Sequence, residues 1–376
     1  MTETRKSEAL RQRLIELTRD LILIPSTRDR PEEVERCLEF VVNHVELPGA
    51  VDVRRFREEG SPSAVILPRN ISIPEVMLFA HLDVVSRPEG TEYRSTVSDG
   101  RIYGPGSGDM KGELAILLEI FRDFHGRRPG ISLGIAVTSD EEIGGAHGTR
   151  FLFEKAGVRC GIAIIPDSGT INEIAVEEKG ILHLKLQAHG SSGHASRPWL
   201  AENPMERVVV ALNQIRNYFE TLRDGDEHWH PTCAITMLHT ENRVWNRIPS
   251  FAEAVCDIRF PPPYTSDQMI AAVKQFTHDA MEFEVLVSAE PTQVSPDPLF
   301  IAVTEEITGK PVKLIREHGG SDARFVCRYG IPVIMSRPFV GNLHAENEWI
   351  DIASMEMLYR IYERYLEKKL KSGKID

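Results

Sequence analysis

Three apolar runs of strand length end directly on side chains that can bind a metal. Val76 to Ala80 runs into His81 and Asp83, Ile131 to Val137 into Asp140, Glu141 and Glu142, and Gly161 to Ile165 into Asp167. Unbroken apolar runs suit parallel strands buried on both faces. Open α/β sheets bind their ligands at the carboxyl ends of such strands, so these side chains are predicted to converge on one crevice. Helical spacing is equally plain: Leu10, Leu14, Leu17 and Leu21 share a face near the start. Met110, Leu114, Leu117, Leu118 and Phe121 do the same after the glycine-rich GPGSGD. A helix is therefore expected to begin there, with Asp109 at its N-terminus.

The rhythm changes after Lys179-Gly180. ILHLKLQAHG alternates as a half-exposed strand, and Asn203 to Leu222 reads as a helix after an Asn-Pro start. TCAITMLHT and FAEAVCDIRF pair as strands, Ser266 to Ala280 is helical, and FEVLVSA closes the unit. The order βαββαβ predicts a compact, ferredoxin-like antiparallel sheet with helices on one face. Past AEPTQVSPDP the α/β pattern resumes, with a helix from Leu299, strand VKLIR, a helix from Ser321, strand IPVIMS and a helix from about Ala353. The expected organisation is an α/β domain of residues 1–178 and 292–376, interrupted by an inserted α+β domain of residues 179–291. KKLKSGK at the C-terminus reads as a frayed helix end.

Length fits this division, since 376 residues exceed what one hydrophobic core usually serves. A formal charge of -12 argues against nucleic acid as a partner. No stretch approaches a membrane span, and MTETRKSEALRQRL lacks the apolar segment of a signal peptide. Cys37, Cys160, Cys233, Cys256 and Cys327 are odd in number and without CxxC spacing, which fits reduced thiols in a cytoplasmic protein.

The candidate chemistry rests on combinations. His81 and Asp83 stand two apart at a strand end, where a carboxylate can accept the second ring N–H of a metal-bound imidazole. HxD alone is also an ordinary surface pair. Asp109 is placed to bridge two cations or to cap a helix. Glu141 and Glu142 are adjacent carboxylates whose repulsion calls for a cation or a proton, unless they form an acidic surface turn. With Asp167 and His344 of GNLHAENE, the set suits a pair of zinc ions. His228 and His230 of DEHWHP lie in a loop without such a setting, and His183 and His189 fall on an alternating strand as surface residues. GPGSGDMKG is not a nucleotide loop, because GxxxxGK[ST] is absent and Asp109 occupies the last glycine position of GxGxxG.

HLDVV, GSGDMKG, TSDEEIGG, GSSGHASRPWLAENP, NRIPSFAEAVCDIR, GGSDARF and GNLHAENE occur in order over about residues 8–368. Together they resemble the dinuclear zinc exopeptidase and deacylase family that contains succinyl-diaminopimelate desuccinylase, acetylornithine deacetylase, glutamate carboxypeptidase and aminoacylase. The resemblance implies that His81, Asp109 and Asp167 hold one zinc, and Asp109, Glu142 and His344 the other, with cobalt or manganese as alternatives. It implies that Asp83 orients His81 and that Glu141 is the general base. It further implies that residues 179–291 are a lid that pairs two subunits, with His194 stabilising the oxyanion across the dimer. Asn246 and Arg259 would contact substrate, Arg259 as a carboxylate clamp.

The implied reaction is hydrolysis of the amide of a small N-acylamino acid or short peptide. Two departures bear on the substrate. Asp167 replaces the glutamate of many deacylases and resembles the aminodipeptidase branch, and Gly320 stands where desuccinylases resemble GGTSD. The length of the inserted domain is deacylase-like. An aminodipeptidase and a silent metal- or peptide-binding protein on the same scaffold are the alternatives.

Overall fold

The computed structural model describes residues 3–88, 90, 92–225, 228–277 and 281–370. Residues 371–374 of KKLKSGK and Ala280 lie outside them. The chain divides into two compact units, one of residues 1–176, 293–316 and 321–376, the other of residues 177–292 and 317–320. Residues 317–320 join the second unit although they follow the insertion predicted at 179–291.

The first unit is built on a six-stranded sheet. Val76–His81 runs parallel between Leu133–Thr138 and Ile162–Ile164, and Val333–Ile334 adds a further parallel strand beside Ile162–Ile164. The segment after the insertion thus completes the sheet begun before it. Every residue of Val76–His81 and Leu133–Thr138 is buried. The two-residue period of a strand explains why both faces must be apolar. Val76, Leu78, Ala80, Leu133, Ile135 and Val137 enter one core, packed with the helices Glu3–Ile22, Pro31–Val45, Gly112–Arg127 and Ile352–Lys369. Met77, Phe79, Ala136 and Ala163 enter a second core on the opposite face, with Phe153 and Val326.

An antiparallel pair, Val51–Glu58 and Ser61–Pro68, which the sequence pattern does not predict, lies at one edge of this sheet. The helix after GPGSGD starts later than its spacing predicts. Ser107–Lys111 is a π-type turn in which Asp109 and Met110 have non-helical backbone angles, and the α-helix begins at Gly112. The helix expected from Ser321 is a four-residue turn, Ala323–Val326. Lys111 is fully buried and donates from Nζ to the carbonyls of Leu21 at 2.9 Å and Ile24 at 2.5 Å.

The second unit is a four-stranded antiparallel sheet in the order Thr232–His239, Phe251–Phe260, Gly180–His189, Met281–Ala289. With helices Pro204–Thr221 and Ser266–Lys274 the chain order is βαββαβ. Phe251–Phe260 alternates strictly between half-buried and buried positions, and its buried set packs with Val208, Leu212 and Ile215 of the longer helix. Both helices start on side-chain caps, Asn203 to the Met205 amide and a Thr265–Gln268 capping box. Among the described residues no helix is long and apolar enough to cross a membrane.

Candidate active site

Parallel strands deliver the predicted side chains to one end of the first unit's sheet. His81 is the last residue of its strand and is 2% exposed. Its Nδ1 lies 3.0 Å from the Asp83 carbonyl and 3.4 Å from Asp83 Oδ1, and its Nε2 lies 3.1 Å from Asp109 Oδ1. Asp83 Oδ2 accepts the Glu142 amide at 3.1 Å, which links the first strand end to the second. Asp109 Oδ2 lies 3.1 Å from His344 Nε2, and the same nitrogen is 3.3 Å from Glu142 Oε2. The alternative role for Asp109, capping a helix, is not what its carboxylate does: it stands between two imidazoles.

His344 enters from the loop between the short strands Val340–Gly341 and Trp349–Asp351. Its backbone is left-handed, with φ 63°. Donor atoms of His81, Glu141 and Asp167 lie within 4.8 Å of one another, as do those of Asp109, Glu142 and His344. Asp109 therefore touches the first group through His81, while Glu141 stands inside it. His228 and His230 belong to neither group. Their carbonyls accept Lys179 Nζ at 2.7 and 2.8 Å.

The electrostatics fit a dinuclear cation site. Burial, then the charge of Asp167, pushes the Glu141 carboxyl well above its ordinary range. Burial also raises Glu142, against the hydrogen bond from His344. Burial would raise Asp109 too, but His344 and His81 outweigh it and hold that carboxyl well below the usual range. Hydrogen bonds with Asp109 and Glu142 lift His344 to about 10. Glu142 Oε1 is buried with no hydrogen-bond donor. A buried carboxylate oxygen without a donor costs about 1–3 kcal/mol, and a cation at that position would relieve it. Imidazole and carboxylate are also the donors that divalent transition metals accept.

Two neighbours border this set, Arg324, which the sequence does not mark, and Asp140, which opens the acidic run at the second strand end. Arg324 of GGSDARF is 4% exposed, with Nη2 3.9 Å from Glu141 Oε1 and with Nε and Nη1 buried and unpartnered. Asp140, the first acid of the DEE run, accepts the His147 amide at 2.7 Å and is raised to about 7 by burial and by Asp322. Nothing in the motif spacing separates these two from their neighbours.

In the second unit His194 and Asn246 come together on one exposed loop cluster. Gly193–His194 pairs with Arg247–Ile248, and the Ala195 amide donates to the Asn246 carbonyl at 2.9 Å. His194 Nδ1 accepts the Ser196 amide at 3.1 Å. Arg259 is already engaged, its Nε and Nη2 on the two Asp257 oxygens at 2.6 and 3.0 Å. His183 lies on the same sheet face, 3.2 Å from Asp257 Oδ2.

Residues 77–368 match the peptidase family M20/M25/M40. A succinyl-diaminopimelate desuccinylase of Methylobacterium radiotolerans is 30% identical, over 94% of this chain and 96% of its own length. The fold is shared with an M20 family metallo-carboxypeptidase of Sulfolobus solfataricus, at TM-score 0.77 and 15% identity over 95% of this chain and 99% of that one. It is shared equally with a di-peptidase of Saccharomyces cerevisiae, at TM-score 0.75 and 13% identity over 98% of both chains. The chain belongs to the peptidase family M20/M25/M40 and is a metal-dependent amidohydrolase.

Proposed function

We propose that this chain hydrolyses the amide of a small N-acylamino acid or dipeptide at a pair of zinc ions. The observation that carries the reading is the placement of Asp109 between His81 and His344, with Glu141, Glu142 and Asp167 around them. His81, Asp109 and Asp167 would hold one ion, and Asp109, Glu142 and His344 the other. Cobalt or manganese suits the same donors. Bound there, the pair lowers the pKa of water and polarises the scissile carbonyl.

The chain's own groups do the rest. Glu141, next to the ligand set, takes the attacking water's proton and returns it to the departing nitrogen. Asp83 fixes the ring of His81. His194 donates to the developing oxyanion. Asn246 and Arg259 contact substrate, and Arg259 must exchange Asp257 for a substrate carboxylate to act as clamp.

The inserted domain of residues 179–291 serves as a lid and pairs two copies. Its edge strand Thr232–His239 supports this, because Ile235, Met237 and Leu238 are 46%, 56% and 51% exposed and an unpaired apolar edge is a template for another strand. A cytoplasmic setting accords with five free cysteines.

An N-acylamino acid is favoured by the desuccinylase relative, and a dipeptide by Asp167 in place of glutamate. The test is a panel of N-acetyl amino acids, N-succinyl amino acids and dipeptides assayed with zinc, cobalt or manganese. Release of free amine and acid from one class fixes the substrate. Silence throughout would leave a metal- or peptide-binding protein.

A further inference from the structure

Asp109 and His344 meet although 235 positions separate them in the chain. Neither sits on regular structure. Asp109 occupies non-helical backbone in the glycine-rich turn, and His344 a left-handed position in a loop. Two such segments need something to hold them in register.

That role falls to a carboxylate outside the ligand set. Glu348 is 1% exposed. Its Oε2 accepts the Gly106 amide and its Oε1 the Gly108 amide, both at 3.0 Å, so the two oxygens grip the turn that ends on Asp109. Arg87 completes the clamp. Its side chain is 5% exposed, its Nη2 donates to Glu348 Oε2 at 3.0 Å, and its Nη1 donates to the Ala345 carbonyl at 2.5 Å, next to His344. The Gly104 amide donates to the Glu348 carbonyl at 3.1 Å, a further stitch between the same two segments. Gly106 has φ 74°, a conformation that side chains resist, and it brings its amide to the carboxylate.

We propose that Glu348, braced by Arg87, is a positioning residue that sets the separation of Asp109 and His344 and thereby the affinity of the second metal position. This rests on the dinuclear reading above. Neither residue touches substrate. The role is separable from general core packing because it bears unequally on the two metal positions: the second draws both Asp109 and His344 from the clamped segments, whereas the first shares only Asp109 with them.

The experiment is a stepwise zinc titration of the metal-free full-length protein against a chromophoric chelator, with thermal midpoints measured alongside. Glu348→Gln is expected to weaken the second equivalent by about 10–100-fold, the range for removing a partner behind a metal ligand, while the first equivalent, which shares only Asp109 with the clamped segments, loses clearly less. Arg87→Met provides a variant that leaves the carboxylate in place, with a smaller loss in the same equivalent, and Arg87→Lys should restore part of it. Unchanged binding of both equivalents in Glu348→Gln and Arg87→Met overturns the role. So does equal weakening of both equivalents together with a collapsed thermal midpoint. A wild-type protein that binds fewer than two equivalents overturns the dinuclear reading itself, and this role with it.

Discussion

The two units carry their candidate residues in opposite ways. In the first, His81 is buried, its ring nitrogens face Asp83 and Asp109, and the next strand end is tied to Asp83 through the Glu142 amide. In the second, His194 and Asn246 sit on exposed loops, and Arg259 spends its fork on Asp257. The first set is pre-ordered by its own hydrogen bonds. The second leaves His194 and Asn246 exposed and Arg259 already paired. His81 takes its fixed distances from a buried strand end, whereas His194 and Asn246 lie on an exposed surface that imposes less order, a difference with a physical basis in the rigidity of each.

The contrast can be broken at several points. Glu141→Gln should have the largest effect, with kcat lowered by about 10²–10⁴-fold at full metal content. Near-normal turnover in that variant would remove Glu141 from the mechanism. His194→Ala should follow, with a loss of about 10²–10³-fold in kcat and little change in metal binding. Ile235→Glu, on the exposed edge strand, should yield monomers by sedimentation with a comparable loss of turnover. An active monomer would confine His194 to its own subunit or to no role.

Asp83→Asn should weaken metal binding by about 10–100-fold, read by the same chelator competition, because His81 loses the carboxylate beside its ring. The smallest effect separates two roles for Arg259. If it is a strand-end partner of Asp257, Arg259→Met costs below about 1 kcal/mol of stability and leaves KM unchanged. Asp257 is held below its ordinary pKa, with burial opposing and His183 and Arg259 outweighing it. A depressed folded-state pKa gives stability above the unfolded value of about 3.9 and loses it as pH falls through the folded value. The cost of Arg259→Met should therefore be present at neutral pH and fade in acid. A KM increase for substrates bearing a free carboxylate would instead make Arg259 the clamp.

The parts that could be read directly from the sequence are those where one local rule decides. The apolar runs before His81, Asp140 and Asp167 have no other stable home than a doubly covered sheet, and alternation in FAEAVCDIRF fixes which face packs. The edge pair Val51–Glu58 and Ser61–Pro68 escaped because one strand is half exposed and mixed in pattern. The turn at Asp109 was hidden by the helical spacing that continues through Met110. Glu348 and Arg324 escaped for a different reason. Their meaning lies in partners far along the chain, and HAENE or SDARF read alone gives no hint that either side chain is buried.

Buried Lys111 reaches from the turn that carries Asp109 to the carbonyls of Leu21 and Ile24. The end of the first helix and the residues just after it are consequently tied to that turn, since removing the chain up to residue 25 would take away both acceptors and strand an ammonium group in the interior two positions from Asp109. The same trimming would take Leu10, Leu14, Leu17, Leu21 and Ile22 out of the core, so a lowered thermal midpoint should accompany any metal-binding defect.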